Sequence, residues 1–141
     1  MNLTEKMEAN SKPIPDLHDA ELNSVRHDTE SCTVECVFRK VDGHDLTLTL
    51  AGIERFRCSD FGLQNVVLEL IVIDATRRPT QDELRGHLQW ISATSDGESL
   101  LSAQEVEAAV QNVLDGKYVL VSLIPSWGAL IRALAKGIDW K

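Results

Sequence analysis

Long hydrophobic runs are missing from this sequence. The longest, from Val66 to Ile73, is interrupted by Glu69 and falls far short of the roughly 20 apolar residues that cross a bilayer. The first 16 residues carry Glu5, Lys6 and Glu8 where a signal peptide has an apolar stretch. Both absences argue against a membrane or secreted protein, and we expect a cytoplasmic one.

Cysteine is also sparse, with three residues in the chain. Cys32 and Cys36 lie four residues apart on an expected strand, about 13 Å at ~3.3 Å per residue, which is too far for a disulfide. Cys58 could pair with one of them across strands, but reduced thiols fit the expected compartment better. The sequence therefore predicts free cysteines.

Basic residues are outnumbered, with 14 Lys and Arg against 22 Asp and Glu and a net charge of -8. A surface of this sign repels nucleic acid and anionic membranes, so we expect neither as a partner. A basic protein partner is compatible with it. The length of 141 residues and the 43% hydrophobic content fit one globular domain.

Familiar catalytic motifs are absent. The chain contains no G-x-S-x-G, no P-loop and no zinc-binding H-E-x-x-H spacing. We therefore predict no catalytic residue set and no cofactor, which favours a binding protein over an enzyme.

The chain divides near residue 15. Residues 1–14 are polar and without periodicity, which predicts a flexible N-terminal tail, and residues 15–141 form a single predicted domain. Alternating apolar residues predict three consecutive antiparallel strands, which end near Asp28, Val41 and Leu50, with a tight turn at Asp42-Gly43.

Later segments predict further strands and two helices. Gln64–Asp74 is apolar on both alternating faces and reads as a central strand buried on both sides, whereas Ile53–Leu63 is less regular, with Phe56 and Phe61 covering the edge or end of the sheet. Helices are predicted to begin at Thr80 and Ser102, each followed by Glu at capping-box spacing.

The C-terminal part has two readings. Tyr118–Ile124 predicts a strand, and residues 129–140 fit either a helix or a strand, with a terminal hairpin slightly favoured. The predicted fold is α+β, an antiparallel β-meander sheet of about six strands with one or two helices packed on one face.

Several short motifs resemble a group of small uncharacterised bacterial proteins. The chain has Leu17-His18-Asp19-Ala20 before the meander, then Gln64-Asn65-Val66-Val67, and later Pro125-Ser126-Trp127-Gly128-Ala129. This resembles the group that opens with an L-H-D-A/S motif. Some of its members resemble immunity proteins of polymorphic-toxin systems, so the resemblance implies a protein that binds and neutralises a toxin.

A cluster of histidine and aspartate residues near the N-terminus suggests an enzyme as the alternative to a binding protein. Imidazole and carboxylate groups together can ligate zinc or perform general acid–base chemistry, as in a small metal-assisted hydrolase. In the other reading, the carboxylates bond local backbone amides and serve turns. The candidate metal ligands are Asp16, His18, Asp19, His27 and Asp28.

Two surfaces are candidates for partner binding. Trp127, in an expected turn, and Trp140, near the end of the chain, have few ways to bury a whole indole, and tryptophan is enriched in protein interfaces. A homodimer is the simplest such interface. The second surface is an acidic helical face that could attract a basic partner or be only a solvated side. It comprises Asp82, Glu83, Glu105 and Glu107.

Overall fold

A computed structural model of the protein describes residues 13–93, 98 and 100–141. Most of the predicted tail, residues 1–12, lies outside that part. In chain order the elements are β1 (Glu21–Asp28), β2 (Thr33–Arg39), β3 (Asp45–Ser59), β4 (Val66–Ile73), a short 3-10 turn (Ala75–Arg77), α1 (Gln81–Ile91), α2 (Ala103–Leu114), β5 (Val119–Trp127) and β6 (Leu130–Trp140).

The six strands form one antiparallel sheet that closes on itself in the order β1, β2, β3, β6, β5, β4. The pairing of β1 with β4, which closes the sheet, involves only a short stretch of each strand. Glu21 is paired with Val66, and the Val67 amide donates to the carbonyl of Ala20 at 2.9 Å. The predicted α+β fold with a six-stranded meander sheet and two helices is confirmed.

The first three strands show the predicted alternation. Val34, Cys36 and Phe38 on β2 are buried inside the closed sheet, as are Leu46, Leu48 and Leu50 on β3, and Cys36 lies opposite Leu48. Gly43 adopts φ +89 in the turn between these strands, a conformation that costs glycine little. The pattern of period two thus produces one continuous inner core.

Strand β3 is longer than its sequence pattern indicates, since it continues to Ser59. The expected irregular structure from Ile53 onwards is wrong over this stretch. The alternation is broken by Gly52 at φ +62 and by a register shift between Ile53 and Arg55, where β3 leaves β2 and continues alongside β6. Phe56 packs against the inner core, whereas Phe61, beyond Ser59, is half exposed.

Strand β4 is buried on both sides only in its second half. Leu70 and Val72 belong to the inner core, and Ile73 lies beneath the helices. Leu68 and Glu69, in the first half, are exposed. The helices therefore cover one portion of the outer face of the sheet.

Both helices begin where their capping residues predict. The Thr80 hydroxyl accepts from the Glu83 amide at 3.1 Å, and Ser102 and Glu105 form a reciprocal capping box. Their apolar stripes form a second core against the outer face of the sheet at Ile73, Leu120 and Leu134. The helical residues of this core are Leu84, Leu88, Ile91, Val106, Val110 and Val113.

The C-terminal segment forms strand β6, which resolves the ambiguity of residues 129–140 in favour of the hairpin. Ile131 and Ala133 face the inner core, whereas Leu134 packs beneath the helices. Alternate side chains that pack on opposite faces are typical of a strand that is covered on both sides. Within the described residues, no helix has the length and apolarity that a membrane crossing requires.

Candidate functional site

Trp127 ends strand β5 at one end of the closed sheet, opposite Val66 on β4. Its side chain is 68% exposed, unlike Trp90 and Trp140, which are partly buried. Burying most of an indole releases more apolar surface from water than almost any other side chain. Its exposure makes Trp127 a candidate contact residue.

The β3–β4 connection and the β5–β6 turn meet beside Trp127 around a shallow, open cavity of about 600 Å³. The cavity is lined by Asp60, Gly62, Leu63, Gln64, Trp127 and Gly128. Leu63 is fully exposed, and Phe61, its neighbour in the same connection, is half exposed. We call the three exposed apolar residues Phe61, Leu63 and Trp127 the Trp127 rim.

The side chain of Asn65 holds the two connections together. It is buried, with 4% exposure. Its Oδ1 accepts hydrogen bonds from the amides of Gly62 at 2.9 Å and Ala129 at 3.1 Å, and its Nδ2 donates to the carbonyl of Gly62 at 2.9 Å. One amide thereby fixes both the loop and the turn, so the apolar rim is presented on an ordered backbone.

Gly128 allows the close approach that this arrangement requires. It adopts φ +86, and a Cβ there would lie 2.6 Å from both Asn65 Oδ1 and the carbonyl oxygen of Gln64. Glycine is therefore needed at this position for its backbone conformation and for its lack of a side chain.

The predicted partner residue Trp140 occupies a different setting. It is paired with Leu48 at the far end of β6 and packs against the inner core. Trp90, on α1, lies beneath two arginines, with the guanidinium carbons of Arg57 and Arg132 at 4.3 and 4.9 Å from its ring centre. The structure does not bring the three tryptophans onto one surface.

The acidic helical face is largely engaged by cations of the same chain. Arg85 donates to Glu107 at 2.6 Å and also pairs with Asp82, and its hydrogen bond lowers the pKa of Glu107. The capping hydrogen bonds of Ser102 lower the pKa of Glu105, which also lies 3.9 Å from Arg55. Glu83 remains exposed on the first turn of α1.

The first part of the histidine and aspartate cluster sits where the chain enters the sheet. Asp16 Oδ1 accepts from the amide of His18 at 3.0 Å. His18 Nδ1 lies 3.1 Å from the carbonyl oxygen of Leu68, and its Nε2 lies 3.6 Å from Asp19. Asp19 adopts φ +63, and its amide donates to Val67. These bonds anchor the entry segment to β4.

The second part lies at the opposite end of β1. His27 and Asp28 follow Leu22 by five and six residues, which is about 20 Å along a strand. Asp28 accepts from the amides of Ser31 and Glu30 in the next turn, and these bonds lower its pKa. The described residues contain no group of three His, Cys, Asp or Glu side chains arranged to hold a metal ion.

All three cysteines are free, as predicted. Burial raises the pKa of Cys36 to about 12, and burial also raises the pKa of Cys58, which lies on β3 beside two arginines. A raised pKa keeps a thiol protonated and unreactive near neutral pH. Neither residue has the activated character of a catalytic nucleophile.

Comparison with known proteins identifies no family. No family model matches the chain, and no curated protein matches it. A crystal structure of an uncharacterised protein from Neisseria gonorrhoeae is similar over 88% of this chain and 91% of the other, with a TM-score of 0.40 and 12% identity. A likeness this distant carries no inference about function.

Proposed function

We propose that this chain is a non-catalytic, cytoplasmic protein-binding module whose contact surface is the Trp127 rim. The observation that carries the proposal is an exposed Trp127 and a fully exposed Leu63 beside one cavity, on connections fixed by Asn65. A rigid apolar platform loses little conformational entropy on binding, and tryptophan dominates the energetics of many interfaces.

Charge around the rim favours a cationic protein as the partner. Asp60 lines the cavity, and the exposed Glu69 follows on β4, next to the segment that holds Asp19. The whole chain carries a net charge of -8. Complementary charge accelerates encounter and excludes wrong partners, whereas the apolar anchors supply most of the affinity.

Neutralisation of a toxin is the specific form of this proposal, and it rests on the sequence resemblance to immunity proteins. The acidic helical face is a weaker contact candidate, because Arg85 already pairs with Asp82 and Glu107. A hydrolase at the histidine and aspartate cluster is less favoured, since the two halves of that cluster lie at opposite ends of β1.

The test begins with capture of partners from the source lysate and proceeds to titration of the purified partner against the full-length chain. Trp127→Ala and Leu63→Ser should weaken binding, the first by about thirtyfold, because a central tryptophan contributes about 2 kcal/mol or more. Val41→Ser is the matched control. Val41 is 76% exposed, and it lies in the β2–β3 turn at the opposite end of β3.

Equal affinity of the wild type and Trp127→Ala would overturn the proposal, as would an equal loss in the Val41 variant. The alternative that the surface forms a homodimer is tested by measuring the molar mass with light scattering. A molar mass that doubles with concentration in the wild type and stays monomeric in Trp127→Ala would identify a second copy of this chain as the occupant, which would replace the heterologous partner.

A further inference from the structure

Two arginines face each other on the outer surface of the sheet. Arg57 on β3 is directly opposite Arg132 on β6, and their neighbours along each strand point into the inner core. Both guanidinium groups lie over the indole of Trp90. Arg57 Nη1 donates to the carbonyl of Trp90 at 2.7 Å, and Arg132 Nε donates to the hydroxyl of Ser122 at 3.3 Å.

Within the described residues this pair, like the exposed Arg77 and Arg78, has no carboxylate at ion-pair distance. Four arginines lie within ion-pair distance of a carboxylate, namely Arg26, Arg39, Arg55 and Arg85. Among residues 13–93, 98 and 100–141, neither Arg57 nor Arg132 has such a partner. Both are partly buried, and burial lowers the pKa of Arg132. In the part of the chain that the structure describes, two neighbouring cations thus share a partly desolvated surface with no carboxylate at ion-pair distance.

His87 adds a third nitrogen-bearing group. It precedes Trp90 by three residues on α1, so the two side chains emerge on the same side of the helix. Its Nδ1 is buried without a hydrogen-bond partner among the described residues. Burial, and to a smaller extent the charge of Arg132, lower the pKa of His87.

We propose that Arg57, Arg132 and His87 form a binding site for the phosphate group of a small ligand. Each guanidinium makes one hydrogen bond to the described residues and retains further N–H donors, and Arg donors match the oxygens of a phosphate in pairs. A divalent oxyanion compensates two cations where a single carboxylate compensates one. This site does not depend on the Trp127 rim or on its proposed partner.

The cation–π contacts position the arginines for this role. Contact with the same indole restricts the rotation of both guanidinium groups, so less side-chain entropy is lost when an anion binds. The competing interpretation is purely structural, in which the arginines only attach the end of α1 to the sheet. The two interpretations differ in what they predict for added phosphate.

Calorimetric titration of the purified full-length chain with inorganic phosphate at low ionic strength tests the site. We expect saturable binding of one phosphate, similar binding of sulfate, and weaker binding of acetate. Arg57→Gln and Arg132→Gln should each weaken phosphate binding by about tenfold or more. Arg39→Gln is the control because Arg39 is exposed and pairs with Asp45, and it should bind phosphate like the wild type.

A second readout uses the wild-type chain and therefore does not depend on the folding of any variant. Saturating phosphate should raise the pKa of His87, measured by NMR of its imidazole, because the bound anion offsets the charge of Arg132 and leaves the effect of the nearby Glu83 in place. Tighter binding of an alkyl phosphate than of inorganic phosphate would show that the phosphate belongs to a larger ligand. Absence of saturable binding, an unmoved His87 pKa at saturation, or equal losses in all three arginine variants would overturn the proposal.

Discussion

The side-chain oxygen of Asn65 lies 3.1 Å from the backbone nitrogen of Ala129, and this hydrogen bond joins two connections that are 64 residues apart in the chain. The same oxygen also accepts from Gly62. A single buried amide thus determines how the β3–β4 loop and the β5–β6 turn sit together. Leu63 lies on the first connection and Trp127 directly before the second, so the Asn65 contacts hold the backbone that carries both exposed side chains.

Replacement of Asn65 should destabilise the protein strongly. Asn65→Ala removes four hydrogen bonds, two with Gly62 and one each with Leu22 and Ala129, and takes away the acceptor of the buried Ala129 amide. We expect a loss of about 2 kcal/mol or more in the free energy of unfolding, measured by urea denaturation. Gln104→Ala, at an exposed position on α2, is the control and should change stability little. A loss in Asn65→Ala no larger than in the control would contradict this account.

Gly128→Ala should cost more than Gly43→Ala. Both glycines have similar positive φ values of +86 and +89, so the backbone strain is matched. A Cβ at residue 128 meets Gln64 O and Asn65 Oδ1 at 2.6 Å, whereas one at residue 43 meets nothing within 4 Å. We expect about 1 kcal/mol for Gly43→Ala and at least about 1 kcal/mol more for Gly128→Ala by thermal or urea unfolding. Equal losses would show that the contact relaxes freely.

The capping box of α2 predicts that two substitutions of Ser102 destabilise the protein to different extents. Ser102→Ala removes the oxygen that accepts from the Glu105 amide at 3.1 Å and should cost about 1 kcal/mol of unfolding free energy. Ser102→Gly should cost only a few tenths of a kcal/mol, because glycine leaves the orphan amide accessible to water. Circular dichroism during urea unfolding measures both, and a reversed order would refute the capping assignment.

The lowered pKa of His87 predicts a pH dependence of stability. Burial and Arg132 place the folded-state pKa below the ordinary 6.5, so the unfolded state takes up the proton at higher pH. The contribution of His87 is therefore present above pH 6.5 and is lost as the pH falls through the folded-state value. Urea midpoints measured across this window should fall more in the wild type than in His87→Gln. Identical slopes would exclude a role for His87.

The regular parts of the fold follow from local patterns. Alternation in β1 to β3, the Asp42-Gly43 turn and the capping residues Thr80 and Ser102 are short-range signals, and the structure confirms them. The continuation of β3 beyond Gly52 is not predictable in this way, because a register shift breaks the alternation and the strand that pairs with this part, β6, lies far along the chain.

The candidate sites depend on long-range contacts and were only partly predictable. The position of Trp127 in an expected turn indicates an exposed indole, but no local pattern predicts the roles of Leu63 and Asn65, since these arise when two distant connections meet. The one local feature that points to Asn65 is its position between a glycine-containing loop and a buried strand. The arginine pair is not predictable from the sequence either, because Arg57 and Arg132 become neighbours only through the β3–β6 register.

The most direct test of the proposed binding surface uses the three indole N–H signals of the protein in a two-dimensional NMR spectrum. Each tryptophan lies in a different environment, so one titration with the purified partner reports on three regions at once. We expect the Trp127 signal to shift or broaden as the partner is added, while the Trp90 signal stays in place. A complex in which Trp127 is unmoved would contradict the proposed binding surface.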